Sequence, residues 1–193
     1  MPEKLTTNIE FLIHQLLVEI GENPEREGLQ KTPYRVAKMY EELTRGYRAD
    51  PEKLLNKAIF DSPHDEIILV RNIEFYSLCE HHLMPFFGHA HIGYLPDGKI
   101  IGLSKIPRIV DMFARRLQLQ ERLTLEIAQF LNEHLKPRGV AVVLDAIHLC
   151  LAMRGARKTQ ARMTTSAMIG AFKDCPKTRN EFLLLVRGAY ENS

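Results

Sequence analysis

The sequence has no long hydrophobic run and very few cysteines. None of its apolar stretches approaches the roughly 18 residues that a membrane-spanning helix needs, so a membrane protein is not expected among its 193 residues. Three cysteines are an odd number for a disulfide framework, and no secretory segment opens the chain. These features predict a cytoplasmic protein with reduced cysteines.

The charge balance is nearly even. With 26 basic and 24 acidic residues the formal net charge is +2, too small to indicate a nucleic acid partner. The hydrophobic content of 45% is enough to bury a sizeable core, and the length fits one structural unit. Within that unit we expect an N-terminal helical region over residues 1–60 and a larger region over residues 61–193 that carries the candidate site.

A thiol, a carboxylate and two imidazoles occupy four consecutive positions, Cys79–His82, directly after a strand-like run. Cys79 and His82 can hold one metal if a turn separates them, because zinc takes thiolate sulfur and imidazole nitrogen. A catalytic zinc uses three protein ligands. The candidate third ligand is Cys150, which ends another strand-like run. The sequence therefore favours a zinc site on these three side chains.

Two histidines accompany the candidate ligands. His81 lies between the first two, and His148 shares a strand face with Cys150 because side chains two apart on a strand point the same way. Both would stand beside the metal without binding it. A plainer alternative stays open, since free cysteine is often buried as a small hydrophobe. His89 and His91, also two apart, are interpreted as ordinary sheet-face residues.

A second functional stretch begins at Ser104, which is predicted to cap a helix whose first turn contains Lys105. Free N–H groups at a helix start, beside a cation, suit a phosphate. A capped helix with exposed basic residues fits the same pattern equally well. Glu121 follows Gln120 at the start of the next helix, where a carboxylate usually complements the helix dipole.

The order of predicted elements is three helices, two strands, two helices, two strands and one helix. Residues 67–78 and 87–95 alternate as strands do, and residues 140–149 are apolar nearly throughout. Each pair of strands is close in sequence, which favours antiparallel pairing. The prediction is an α+β domain, in which two helices connect the halves of a four-stranded antiparallel sheet.

Taken in order, these motifs resemble the GTP cyclohydrolase I family. The stretches that carry the resemblance are CEHH at 79–82, GLSKI at 102–106, LQERLT at 119–124, HLC at 148–150 and MRG at 153–155. Each is weak alone, but the ordered set is very specific. The resemblance runs from about Thr32 to the C-terminus.

The resemblance implies a fold, a reaction and an assembly. The fold would be the tunnel fold, with residues 61–193 as its catalytic domain and with subunits that join their sheets into a barrel. Two pentameric rings would form a cooperative homodecamer. The reaction would convert GTP and water to 7,8-dihydroneopterin triphosphate and formate, the first step towards tetrahydrofolate and other pterins. One zinc per subunit would be required.

The resemblance also assigns roles to individual residues. The zinc ligands would be Cys79, His82 and Cys150. The catalytic residues would be His81, Ser104 and His148, of which His148 would protonate the purine ring. The substrate-binding residues would be Gln120 and Glu121 at the guanine, and Arg35, Lys105 and Arg154 along the ribose and triphosphate.

Three rival classes fit less well. A zinc nucleobase deaminase would carry HxE followed by PCxxC, which this sequence lacks. A nucleotide-binding module stapled by zinc would use four ligands and leave no spare histidines, whereas His81 and His148 are left over. Another tunnel-fold purine or pterin enzyme is not expected to combine this zinc set with the SKI and QER stretches.

Overall fold

The computed structural model describes residues 3–55 and 57–188. The chain divides into two compact units, Met1–Arg45 and Gly46–Ser193. Among the described residues no helix is both long enough and apolar enough to cross a membrane. The expected division into a helical region over 1–60 and a catalytic region over 61–193 is a functional one, and it stays a prediction.

The first unit is a pair of helices, α1 (Glu3–Glu19) and α2 (Thr32–Leu43), packed against each other. α2 begins at Thr32, with Pro33 in the first turn, where a missing N–H costs no helical hydrogen bond. The apolar stripe of α1 is only partly covered, because Phe11 and Leu12 are each more than 60% exposed. An exposed stripe of this kind is typical of a surface that meets another chain.

The second unit alternates short helices with strands. Its first part contains a 3-10 turn at Arg45–Arg48, α3 (Pro51–Leu55), β1 (Ile59–Asp61), β2 (Ile68–Cys79), β3 (Pro85–Leu95) and β4 (Lys99–Ile101). Its middle contains α4 (Lys105–Ala114), β5 (Leu117–Gln118) and α5 (Gln120–Leu135). Its last part contains β6 (Gly139–His148), α6 (Leu149–Ala152), β7 (Met163–Gly170), α7 (Ala171–Asp174) and α8 (Pro176–Arg187).

The main sheet has the strand order β5-β2-β3-β6-β7. Its four long strands are antiparallel, and α4 and α5 connect the two pairs, so the predicted α+β architecture is confirmed. The sheet gains one strand that the sequence did not predict: the two residues of β5 pair in parallel with the end of β2. The extended run near residue 100 forms a separate two-stranded sheet, in which β4 pairs with β1.

The two faces of the main sheet carry different cores. On one face the strands pack against α4 and α5, and the alternating inward residues of β2, β3 and β6 are fully buried. This larger core includes Phe75, Phe86, Ile92, Tyr94, Val142 and Leu144. On the other face α7 and α8 bring Phe172 and Phe182 onto Ala141 and Val143. The sheet is therefore a rigid base held from both sides.

Strand pairing places the ends of β2 and β6 at one edge of this base. Leu78 near the end of β2 pairs with Pro85, and His148 at the end of β6 pairs with Phe86. The first two residues of β3 thus lie between the two strand ends. Because neighbouring strands are about 4.8 Å apart, residues just beyond the two ends lie within reach of one side-chain cluster.

The backbones of β3 and β6 approach each other closely at Gly88, so a side chain added there should destabilise the fold. A Cβ at Gly88 would lie 1.9 Å from the carbonyl oxygen of Asp145 and 2.7 Å from Cα of Ala146. Gly88→Ala must therefore push β3 and β6 apart, and we expect the melting temperature to fall by about 4–8 °C or more, as for about 2 kcal/mol of overpacking. Gly102→Ala is the control, because its nearest contact would be an ordinary 3.5 Å. Equal melting temperatures for the two variants, measured by differential scanning fluorimetry, would contradict this.

Candidate metal centre

The three candidate ligand residues converge in the structure. Cys79, His82 and Cys150 each offer one ligand atom, and these atoms all lie within 4.8 Å of one another. The Cys79 Sγ atom is 3.8 Å from His82 Nδ1. Among the residues whose side chains are described, no other group of three or more His, Cys, Asp or Glu residues could hold a metal in this way. The spacing argument therefore found the one cluster suited to a metal there.

A tight turn after β2 brings the first two ligands together. The N–H groups of His82 and Leu83 both donate to the carbonyl of Cys79, at 3.3 and 2.8 Å, and the N–H of Cys79 donates to Met84 at 2.8 Å. Leu83 closes the turn at φ 54°, a left-handed conformation that costs a non-glycine residue on the order of 1 kcal/mol. The turn directs the His82 ring back towards the Cys79 thiol.

The third ligand comes from the start of α6, directly after β6. The strand that was expected to run to Cys150 ends at His148, so the prediction that His148 and Cys150 share a strand face is wrong. Burial raises the pKa of the Cys150 thiol, and the neighbouring Cys79 raises it further. Two thiolates this close repel each other unless a cation lies between them. Two sulfur donors and one imidazole nitrogen are the ligands that zinc prefers, with a fourth position left for water. The donor set therefore fits a catalytic zinc.

The metal-binding turn is anchored to the start of α5, a contact that sequence reasoning missed. The Arg122 guanidinium pairs with the Glu80 carboxylate and also donates through Nε to Gln118 Oε1 at 3.0 Å. The N–H of Glu80 donates to the carbonyl of Gln118 at 3.1 Å. Outer contacts of this kind orient metal ligands. The hint of this contact in the sequence is the position of Glu80, which lies between the candidate ligands Cys79 and His82.

His148 lies beside the cluster but is not one of its three ligands. Its ring stacks on Phe86, with centroids 4.5 Å apart, and its Nε2 lies 2.8 Å from Gln120 Oε1. Burial lowers the pKa of His148, and the carboxylate of Glu121 partly opposes this. His81 is exposed on the turn, 6.1 Å from the His82 ring between centroids. The roles of the two spare histidines beside the metal-binding group stay predictions.

The first two residues of α5 face in different directions. Gln120 is 1% exposed, whereas Glu121 is open to solvent. The Glu121 carboxylate acts to raise the pKa of His148, against the larger effect of burial. Glu121 is therefore free to meet a ligand, while Gln120 is enclosed within the chain.

The remaining four candidate residues lie on three separate segments of the chain. Ser104 is exposed and occupies the N-cap position of α4, as predicted, but its hydroxyl makes no capping hydrogen bond. Lys105 is 8% exposed and donates from Nζ to the carbonyl of Leu54 at 2.8 Å. Arg154 is exposed in the turn after α6, and Arg35 is exposed on α2 of the first unit. Their roles towards a substrate stay predictions.

The other histidine pair lies in the sheet, on β3. His91 is fully buried, and burial lowers its pKa. Its Nδ1 accepts a hydrogen bond from the N–H of Asn72 at 3.4 Å, at the bulge in β2. Neither His89 nor His91 belongs to the metal-binding group. Their interpretation as sheet-face residues agrees with this placement.

The chain is similar to known proteins over most of its length. Residues 9–187 match the family model described as GTP cyclohydrolase I. GTP cyclohydrolase 1 of Leptospira biflexa is 58% identical over 179 residues, covering 93% of this chain and 98% of that protein. The same-named protein of Alkalilimnicola ehrlichii is 55% identical, covering 95% of this chain and 99% of its own. That of Chlorobaculum tepidum is also 55% identical, covering 95% and 82% respectively.

The geometry of the cluster predicts which cysteine matters for metal. We expect about one zinc per chain, and Cys150→Ser should lose it while keeping the far-ultraviolet circular dichroism of the folded protein. Cys175→Ser is the matched control, because Cys175 lies outside the ligand group at the start of α8. The measurement is elemental analysis after dialysis against metal-free buffer. Full zinc retention by Cys150→Ser would remove this residue from the site.

Proposed function

Because the chain belongs to the GTP cyclohydrolase I family, we propose that it converts GTP and water to 7,8-dihydroneopterin triphosphate and formate. The observation that carries the proposal is the convergence of Cys79, His82 and Cys150. The reaction would be the first step towards tetrahydrofolate and other pterins. A cytoplasmic location is part of the proposal and accords with three free cysteines.

The metal-binding group would hold one zinc per subunit through two thiolates and one imidazole. When bound with an open fourth position, zinc lowers the pKa of a coordinated water towards about 7 and so supplies a nucleophile at neutral pH. The pair Arg122 and Glu80 keeps the turn that carries His82 in place. The contribution of the chain is thus to hold three ligands and leave one side open.

His148 would donate a proton to N7 of guanine. Protonation at N7 withdraws electrons from C8, a poor electrophile, and makes it open to attack by water. An imidazole has the pKa range for giving and taking a proton near neutral pH. The lowered pKa of His148 favours release of that proton to the substrate. His81 is proposed as the second catalytic histidine of the pocket, and Ser104 as a catalytic residue near the ribose.

The bonds of the reaction balance with one net water. Water adds at C8, the five-membered ring opens, and a second hydrolysis releases C8 as formate. The ribose then rearranges to a ketone, and the freed amine condenses with it, which releases one water and forms the pterin ring.

Guanine recognition is assigned to Glu121. A carboxylate can accept hydrogen bonds from both N1–H and the 2-amino group of guanine. Adenine lacks this donor pair, so its binding would leave the carboxylate unpaired, and such a site rejects the wrong base strongly. The resemblance also assigns Gln120 to the guanine-binding stretch, beside Glu121.

The triphosphate would be held by Arg35, Lys105 and Arg154 through charge-assisted hydrogen bonds. Lys105 uses one donor on Leu54, which leaves two of its three N–H donors for phosphate oxygens. Its low exposure also strengthens any contact with an anion, because the surrounding dielectric is low. Arg154 is exposed in a turn, so solvent and ligands can reach its guanidinium.

The direct test is incubation of the metal-loaded protein with GTP. We expect formate and, after oxidation, a fluorescent pterin in equal amounts. Glu121→Ala should raise KM for GTP by about 10-fold or more, since hydrogen bonds to a charged group are lost, and should keep its zinc. Glu133→Ala, exposed on the same helix, is the matched control and should leave KM unchanged. Ammonia release without formate would instead indicate a deaminase.

We further propose the family's homodecamer, with sheets joined into a barrel. Two observations support it. Among the described strands β7 pairs only with β6, and β5 covers only the last two residues of the outer edge of β2. Unpaired edges of this length are a liability unless another chain covers them. Ring closure would pair the two edges, and Arg35 would reach the pocket of a neighbouring subunit.

A mixing experiment tests whether the site is shared. Arg35→Ala and Cys150→Ser should each be nearly inactive alone. Unfolded together and reassembled, they should regain activity, because some junctions then combine an intact Arg35 with an intact ligand set. Cys79→Ser mixed with Cys150→Ser is the control and should stay inactive, since both changes fall in the same cluster. Co-purification of differently tagged Arg35→Ala and Cys150→Ser chains without any recovered activity would reject the shared site.

A further inference from the structure

The polar atoms of the Gln120 side chain contact four partners within the chain itself. Its amide nitrogen lies 3.2 Å from the carbonyl of Leu144, 2.9 Å from that of Met163 and 3.1 Å from Thr165 Oγ1. Its amide oxygen lies 2.8 Å from His148 Nε2. With 1% exposure, the side chain is buried among these four partners.

These partners decide which way the amide points. Two of the atoms around Nε2 are backbone carbonyl oxygens, which can only accept hydrogen bonds. A flipped amide would place its own oxygen against both and leave three oxygens without a proton between them. Buried polar groups of this kind are costly when unsatisfied. The amide nitrogen therefore faces Leu144 and Met163, and the amide oxygen faces His148.

The orientation of Gln120 in turn decides the tautomer of His148. An amide oxygen has no proton to give, so a hydrogen bond at 2.8 Å requires a proton on His148 Nε2. A neutral imidazole carries one N–H, so Nδ1 is then the unprotonated nitrogen. No described residue makes a hydrogen bond to Nδ1. The nitrogen left to meet a substrate is thus Nδ1.

The ring itself has little freedom to turn. His148 stacks on Phe86 with an interplanar angle of 4°, and the two residues are paired across β3 and β6. The backbone of Gln120 is also held in place, because Thr124 Oγ1 donates to the Gln120 backbone carbonyl at 2.6 Å. The same hydroxyl contacts Thr165 Oγ1 at 2.6 Å. The arrangement joins α5, β6 and β7 around one imidazole.

We propose that Gln120 is a positioning residue, which holds His148 as its Nε2–H tautomer and so makes Nδ1 the nitrogen that exchanges a proton with the substrate. The assignment deepens the proposed function and rests on it for the identity of the substrate. It replaces direct guanine binding as the role of the Gln120 side chain. Glu121 keeps the guanine, because successive helix residues point about 100° apart.

A neutral partner suits an acid that must give its proton away. A carboxylate in place of the Gln120 amide would stabilise the charged imidazolium and hold its proton more tightly. An amide oxygen fixes the ring orientation and the tautomer with little of that effect. When His148 is doubly protonated, Nε2–H stays on Gln120 and Nδ1–H is the proton available to N7 of a purine.

The tautomer can be measured without any substrate. Solid-state nitrogen NMR of the metal-loaded, histidine-labelled protein should show His148 with a protonated Nε2 and an unprotonated Nδ1. The His148 signals are identified by their absence in His148→Asn. The measurement is made at a pH where the ring is neutral, and a neutral His148 with its proton on Nδ1 and none on Nε2 would overturn the proposal, whether or not the protein acts on GTP. Absence of formate with the expected tautomer would count against the proposed function alone.

Kinetics then separate positioning from binding. Gln120→Met keeps the length of the side chain but removes both hydrogen-bonding ends. We expect kcat for formate release to fall on the order of 10- to 100-fold, within the range for a misplaced general acid, with KM for GTP changed less than about threefold. The His148 signals should also shift towards a mixture of tautomers, which a merely structural change would not produce.

Leu131→Ala is the structural control, since Leu131 is buried on the same helix and belongs to the core. It should lower the melting temperature without changing the tautomer or kcat at temperatures where it is folded. A rise in KM of tenfold or more for Gln120→Met, with kcat and the tautomer unchanged, would make Gln120 a substrate contact and reject the proposal. If Gln120→Met does not assemble, the wild-type tautomer still decides the question.

Discussion

The pairing of β3 with both β2 and β6 is the constraint on which the site depends. It brings two strand ends, far apart in sequence, to one edge of a rigid sheet. Cys79 ends one strand, and His148 ends the other directly before the helix of Cys150. Cores on both faces prevent the strands from sliding, so the positions of the ligands follow from the register of the sheet. The chemistry of the site is thus set by backbone hydrogen bonds several residues away.

The start of α5 provides further residues around the strand ends. One residue of its first turn faces inward and orients an imidazole, the next faces outward towards solvent, and Arg122 after them fixes the metal-binding turn. Three consecutive side chains therefore serve three different parts of one site. A helix allows this because each residue turns away from the last, whereas a strand would offer only two directions.

Local patterns allowed the strands, the connecting helices and the three candidate ligands to be predicted, because period-two alternation and ligand chemistry are written in adjacent letters. The strand β5 was missed, since two residues carry no periodicity and their pairing depends on where β2 ends. The N-cap position of Ser104 was predicted, but its hydroxyl makes no capping hydrogen bond, because its backbone is already helical, with φ −65° and ψ −13°, whereas a capping residue usually has an extended backbone. The inward direction of Gln120 was not predictable either, since its four partners come from two other elements, β6 and β7.

The cluster of Cys79, His82 and Cys150 also has a consequence for how the chain unfolds. A metal bound there would tie together two segments separated by β3, α4, α5 and β6, and so close a long loop, much as a cross-link does. Such a tie exists only while the metal is bound, so the resistance of the fold to heat or protease would vary with the free metal concentration. The lifetime of the folded protein would then depend, through these three side chains, on the metal supply around it.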